Sequence, residues 1–318
     1  MYSGEPKAAT THRIAVVGAG QFGQNHCRVI RQSTRGELTA VVDIDPSRGT
    51  MADYRELAGR VDAAIVATPT SAHAEIGCWL LEHGIDVLVE KPMAPDLESA
   101  DRLIAASERH GCVLQVGHLE RFNPAVIALE GRITLPLFFE IHRLSVFSPR
   151  SLDVDVILDL MIHDIDIVLS LTGAEPEEIR AAGVSVLSAK VDIANARLEF
   201  PNGCVANLTA SRVSTERVRK LRLFQPQQYI SLDYARKELL IFSVGGDRQV
   251  SFEPVPVAKS EPLQLQLDAF LDSVETRNSP KTSGLAARQT LRVALAILDR
   301  IKEHSEIVSK SLTGGWKI

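Results

Sequence analysis

Residues 13–23 read Arg13-Ile14-Ala15-Val16-Val17-Gly18-Ala19-Gly20-Gln21-Phe22-Gly23, a short apolar run that breaks into a G-x-G-x-x-G spacing. An apolar run this short predicts a strand covered on both faces, as in a parallel sheet. Phe22, His26, Val29 and Ile30 then fall at helical spacing, so a helix is expected over 21–32. A glycine fingerprint that leaves a strand and opens a helix is the context in which that spacing binds a dinucleotide. Gly18 permits the tight turn, Gly20 lets the backbone approach a pyrophosphate, and Gly23 lets helix and strand pack closely. The pyrophosphate rests on the helix N-terminus, so Gln21 and Phe22 join the candidate cofactor contacts. Asp43 lies twenty residues beyond Gly23, at the end of a second strand expected over 38–42. A carboxylate there bonds the adenosine ribose hydroxyls and repels a 2′-phosphate, which prefers NAD to NADP. Arg48 is the one nearby residue that works against this preference.

Outward from this stretch, strands are expected over 63–67, 87–89 and 113–116, and helices over 72–83 and 96–110. Alternating strands and helices predict an α/β fold, an N-terminal Rossmann domain with a doubly wound parallel sheet. Only seventeen residues, 44–60, separate Asp43 from Val61. A helix and a further strand would normally fit there, so the second crossover is expected to be short or missing. Past about residue 130 the pattern changes. A long strand is expected over 137–147, a helix over 154–171, and strands near 179–187, 193–200, 204–211, 219–224 and 229–233. Helices over 263–277 and 285–303 close the chain. The reading is a Rossmann domain over 1–130 and, over 131–318, an α+β domain with an open antiparallel sheet. The C-terminal helices are expected to pack back.

Composition sets limits. The 318 residues suit two domains, with 45% apolar and 24% charged residues. A net charge of −5 and 5% aromatic residues give no case for nucleic acid or an anionic membrane as partner. The four cysteines, Cys27, Cys78, Cys112 and Cys204, form no C-x-x-C pair and suit a reducing cytoplasm. No secretory signal, membrane span or metal site is expected.

Three segments are expected beyond the carboxyl ends of the parallel strands: Thr68-Pro69-Thr70 with His73, Glu90-Lys91-Pro92, and Gly117-His118. A lysine directly after a buried strand is a candidate acid–base group, although a solvated strand-end lysine is an equal reading. The second cluster runs from Asp159 to Asp166. Asp159 and His163 are four apart and share a helix face, and Asp166 is expected to face the same way. The rest of that helix is apolar, so its carboxylates and histidine need partners or a task. A structural network or a metal pair is the alternative.

Together these motifs resemble the glucose–fructose oxidoreductase, inositol dehydrogenase and MocA (Gfo/Idh/MocA) family, over residues 12–305. The segments 117–125, 159–166, 195–197 and 210–212 are similar to its bacterial UDP-N-acetylglucosamine 3-dehydrogenase branch. The resemblance implies NAD as cofactor, a small-molecule substrate, and a homodimer or homotetramer built on the second domain's sheet. It implies oxidation of a secondary sugar hydroxyl, at C3 of a nucleotide sugar in that branch. Lys91, Asp159 and His163 would frame the reacting carbon, with His163 or Lys91 as the base. Thr68, Pro69, Thr70, His73, Glu90 and Lys91 would join the cofactor contacts. His118, Arg121, Asn123, Arg143, Arg150 and Arg212 are the substrate candidates, a surface salt bridge being an equal reading for each arginine. Dehydrogenation of a free sugar or inositol is the alternative reaction. The rival class is a cofactor-binding sensor without turnover.

Overall fold

The computed structural model describes residues 11–147, 154–246 and 248–313, with side chains to residue 306. The chain forms two compact units. One takes the residues up to Gly117 and Leu263–Arg288; the other takes His118–Pro262 and the residues from Gln289 onward.

The first unit is built from β1 (His12–Val17), α1 (Gln21–Gln32), β2 (Gly36–Val42), β3 (Ala63–Val66), α2 (Thr70–Glu82), β4 (Asp86–Glu90), α3 (Leu97–His110) and β5 (Leu114–Gly117). The strands form one parallel sheet in the order β2-β1-β3-β4-β5. Every residue of β3, β4 and β5 is buried, which is why these strands are mostly apolar, with Asp86, Glu90 and Gln115 the buried polar exceptions. Asp96 starts α3, its carboxylate accepting from the Ser99 N–H at 2.8 Å. The strand order reverses at β1, with β2 on one side and β3 on the other. That switch point is where an open α/β sheet takes its ligand.

The second crossover is reduced, as the 44–60 spacing predicts. It holds a single 3-10 turn, Tyr54–Leu57, and one isolated pairing of Val42 with Met51, leaving β2 at the sheet edge. The helix α6 (Pro262–Thr276) and the segment after it return to this unit. Arg277 donates to both oxygens of buried Asp86, at 2.7 and 2.9 Å. The sequence reading divides the chain at 130/131, whereas the two compact units divide at 117/118. Residues 119–130 form a 3-10 turn and α4 (Pro124–Glu130), whose Ala125, Val126 and Leu129 belong to the second unit's core.

The second unit also carries β6 (Phe138–Val146), a π turn (Ile157–Met161), α5 (Ile162–Thr172), β7 (Glu178–Val184), β8 (Ile193–Glu199), β9 (Val205–Ser214), β10 (Val218–Gln225), β11 (Gln228–Asp233), β12 (Glu238–Val244) and β13 (Val250–Val255). Its sheet runs β13-β12-β11-β10-β6-β9-β8-β7. Two features differ from the sequence reading. The sheet is mixed, because β6 and β9 pair in parallel while the other neighbours are antiparallel. It also has two further strands. β12 alternates legibly, but five of the six residues of β13 are exposed, so that strand shows no buried period. On β8, Ala194, Ala196 and Leu198 turn inward and Asn195 outward. The inward row joins Phe139, Leu208 and Leu221 in a core with Ile162, Ile165 and Val168 of α5.

Candidate functional site

In the first unit, the fingerprint turn is shaped by contacts that admit no side chain. Gly18 has φ +95°, and a Cβ there would lie 2.7 Å from the Ala67 carbonyl and the Thr68 nitrogen. The turn after β1 is thus pressed against the loop after β3, across the switch point. A Cβ on Gly23 would lie 1.8 Å from the Gly18 oxygen. At Gly20 nothing stands within 4 Å of a Cβ, so the backbone is open to a ligand there. α1 starts with no side-chain cap and no acidic residue in its first turn, which suits a phosphate. The Thr68 hydroxyl is buried with no hydrogen-bond partner among the described residues. An unmet buried hydroxyl costs about 1–3 kcal/mol, so this atom fits a ligand's polar group. The residues around the switch point fit a dinucleotide.

Asp43 is half-buried and accepts from the Ala19 N–H at 2.7 Å and the Asp45 N–H at 2.9 Å. A carboxylate has about four lone-pair sites, so acceptor capacity remains for ribose hydroxyls. Arg48 pairs with Asp45 at 3.1 Å, so its charge is already matched by an acid. We expect Asp43→Ala to weaken NAD binding about tenfold or more, the loss of charged hydrogen bonds, and to relax the preference over NADP. Calorimetric titration of both cofactors checks this; tighter NADP binding by the unmodified protein would overturn it.

Two of the expected cofactor contacts also brace the fold internally. His73 is buried, with Nδ1 3.0 Å from the Pro92 oxygen and Nε2 2.9 Å from the Thr68 oxygen. Burial holds its imidazole below the ordinary range, against the pull of those carbonyls. A neutral ring donates to only one of them. The ring ties the loop after β3 to the Lys91–Pro92 segment, whose peptide bond is cis. Glu90 is also buried, with Oε1 2.8 Å from Nε2 of His26 and Oε2 accepting from the Lys91 N–H at 3.3 Å. A Cβ on Gly117 would reach within 2.7 Å of that carboxylate. His26 was visible in the sequence only as a member of the buried face of α1. Lys91 itself is half-buried at the end of β4. Pro69 is exposed and Thr70 begins α2.

In the second unit, the π turn Ile157–Met161 carries Asp159, and His163 follows in the first turn of α5. A continuous helix was expected over this stretch. π turns recur at functional sites because the wider turn re-aims side chains. Asp159 and His163 are half-buried, whereas Met161, Ile162, Asp164 and Ile165 are buried. The pair therefore marks the side of this segment that the core leaves uncovered. Asp166 does not share it. It is buried, 3.4 Å from the Thr290 hydroxyl and 3.8 Å from Nη1 of Arg121.

Most of the substrate candidates are tied within this unit. Arg143 is buried and bidentate to Asp164, at 2.8 and 2.7 Å, and reaches Glu120 at 2.9 Å. Burial works against its charge, but Asp164 and Glu120 outweigh that and hold the guanidinium well above its usual range. Arg121 lies between Asp166 and Glu130. Arg212 is buried, donates to the Val154 and Val191 carbonyls, and lies 3.4 Å from Asp192. Asn123 is buried as the cap of α4, accepting from the Ala125 N–H at 3.1 Å and donating to the Tyr234 oxygen at 3.2 Å. All four have neighbours of their own in this unit, the salt-bridge reading that the sequence left open for the arginines. Arg143, Arg212 and Asn123 are buried and hydrogen-bonded inside the fold, whereas half-buried Arg121 stands within 4 Å of Asp166 and Glu130 while its Nε makes no hydrogen bond among the described residues. His118 is buried and opens the 3-10 turn Leu119–Phe122. Arg150 lies outside the described residues. Among the described residues no cluster of metal-ligating side chains occurs, and no helix is long and apolar enough to cross a membrane.

Comparison with known proteins agrees with this geometry. Residues 12–118 match the family model for the NAD-binding Rossmann fold of the Gfo/Idh/MocA oxidoreductases, and residues 134–227 match the model for their C-terminal domain. The chain is 36% identical over 301 residues to UDP-N-acetylglucosamine 3-dehydrogenase of Acidithiobacillus ferrooxidans, covering 90% of this chain and 96% of that protein. A solved structure of that enzyme, GnnA, superposes with a TM-score of 0.88 at 35% identity, covering 92% of this chain and 98% of that one. An inositol 2-dehydrogenase of Arthrobacter is 33% identical over 186 residues, covering 52% of this chain and 55% of that protein.

Proposed function

We propose, from the premise that this chain belongs to the Gfo/Idh/MocA family and is an NAD-dependent dehydrogenase, that its substrate is a UDP-N-acetylhexosamine oxidised at C3. The observation that carries this reading is the likeness to an enzyme of that name across both units, at 36% identity. The likeness to inositol dehydrogenases is weaker, 33% identity over about half the chain in one case and 25% over 95% of it in another. Bound NAD supplies the acceptor for the hydride that leaves the sugar carbon. The chain's own residues then have to handle the hydroxyl proton and the charge left on oxygen. His163 takes the proton, with Asp159 orienting the ring. Lys91 supplies positive charge for the developing alkoxide. Incubation with NAD and UDP-N-acetylglucosamine, N-acetylglucosamine, glucose or inositol tests the reading. Absorbance of reduced cofactor should rise first and fastest with the nucleotide sugar. Equal or better turnover of a free sugar or inositol would overturn the substrate, and no turnover of any would favour a sensor.

We also place the protein in the cytoplasm, because Cys27, Cys78, Cys112 and Cys204 are all free thiols. The working form is an oligomer that covers the outer face of the second unit's sheet. That face carries a ladder of rings on five adjacent strands: Phe138, Phe224, Tyr229, Phe242 and Phe252, with centroids 5.0 to 6.0 Å apart. Phe224 and Phe252 are exposed in the single chain, and an apolar stripe of this kind favours a second copy. Light scattering at micromolar concentration should give a mass well above that of one chain; a monomer mass would refute the oligomer.

A further inference from the structure

Among the described residues the candidate arginines Arg121, Arg143 and Arg212 stand against internal partners, yet two others at the start of β10, Arg217 and Arg219, have no ion pair. On β10, Leu221 and Leu223 face the core, so Arg219, two residues earlier, lies on that same inner side of the sheet. Its register partner on β6 is Arg143, and its carbonyl accepts from the Tyr234 N–H on the other flank at 3.0 Å. One row across three strands therefore reads Arg143, Arg219, Tyr234. In that row Arg143 is matched by Asp164 and Glu120, and its guanidinium lies over the Tyr234 ring at 5.0 Å. Arg219 is half-buried and has no carboxylate within ion-pair distance among the described residues. Burial and the adjacent Arg143 charge pull its pKa below the ordinary range. Arg217, immediately before β10, is exposed and likewise has no such carboxylate among the described residues. Glu120 and Asp164 act on Arg219 only from beyond ion-pair distance, and a half-buried guanidinium beside a second one, neither in an ion pair, is poised for an external anion. The row also lies near the candidate histidine: Arg143 holds Asp164, and His163 is the residue immediately before it in the chain.

We propose that Arg219, assisted by Arg217, binds the diphosphate of a nucleoside diphosphate sugar; this rests on the nucleotide-sugar reading above. Guanidinium forks suit this task because they bond phosphate oxygens in pairs. A purely structural role, balancing the second carboxylate around Arg143, makes a different prediction. It requires lost stability with no selective loss of ligand.

The test uses the full chain with NAD, comparing Arg219→Ala, Arg219→Lys and, as a control, Arg236→Ala in an exposed turn. Calorimetric titration with UDP reads binding without turnover, and kinetics with UDP-N-acetylglucosamine read KM and kcat. Arg219→Ala should weaken UDP and raise KM about 10- to 100-fold with kcat changed far less, the loss of a charged hydrogen bond remote from the reacting carbon. Arg219→Lys should recover part of the affinity, and Arg236→Ala should match the unmodified protein. If the unmodified protein binds no UDP, the nucleotide-sugar reading falls and this inference with it. If it binds UDP and Arg219→Ala binds it equally, the inference alone is overturned. A lower unfolding temperature with unchanged UDP affinity assigns Arg219 to structure and overturns it as well.

Discussion

Replacing Lys91 or His163 by alanine is expected to lower kcat by about 10²–10⁴-fold, the usual contribution of a positioned acid–base group, while the fold and NAD binding persist. The fold should persist because neither side chain belongs to the buried core. Lys91 is half-buried after β4, and its loop is held by other residues: Glu90 through His26, and Pro92 through His73. Alanine removes the ammonium and leaves those braces in place. His163 stands half-buried on a segment whose stability comes from Ile162, Ile165 and Val168. Steady-state kinetics on the nucleotide sugar, with circular dichroism and NAD titration as controls, check both variants. Near-normal kcat in either one removes that residue from the chemistry.

The second large effect separates two glycines of the same fingerprint. Gly23→Ala should abolish measurable NAD binding and lower the unfolding temperature. Its Cβ would meet the Gly18 oxygen at 1.8 Å and the Gly18 carbon at 2.9 Å, and both are backbone atoms that no rotamer change can move aside. Overpacking of this kind costs typically ~1–3 kcal/mol and displaces the turn that cradles the phosphates. Gly20→Ala should leave the unfolding temperature unchanged, since the protein puts nothing within 4 Å of that Cβ. It should still weaken NAD, because the methyl group occupies the space through which the pyrophosphate approaches the backbone. Scanning calorimetry of the cofactor-free variants, combined with NAD titration, distinguishes the two. If Gly20→Ala binds NAD normally, the pyrophosphate does not sit where the fingerprint places it.

Much of this molecule follows from local pattern. The run 13–17 with its fingerprint, Asp43 twenty residues on, and the short span 44–60 determined a parallel sheet, a dinucleotide site and a curtailed second crossover. Each depends on near neighbours in the chain: buried strands are apolar throughout, and a phosphate turn needs glycine at fixed offsets. The π turn was not legible, because the apolar residues of 156–169 suit an ordinary helix equally well. Nor was the parallel pairing of β6 with β9, which joins strands that are distant in sequence and show the same alternation in either direction. Tertiary structure also decided which charged groups remain available for work. Asp164 and Asp166 drew attention as carboxylates in an apolar helix, His73 and Glu90 as residues of segments beyond the strand ends, and Arg121, Arg143 and Arg212 through the family resemblance. Much of their explanation lies in partners distant in sequence, such as Asp164 with Arg143, 21 positions away, and Asp166 with Thr290, 124 positions away. Arg219 looked like an ordinary strand residue until the register set it beside Arg143. Sequence shows which side chains are costly to bury, and only the fold shows which of them it has already satisfied.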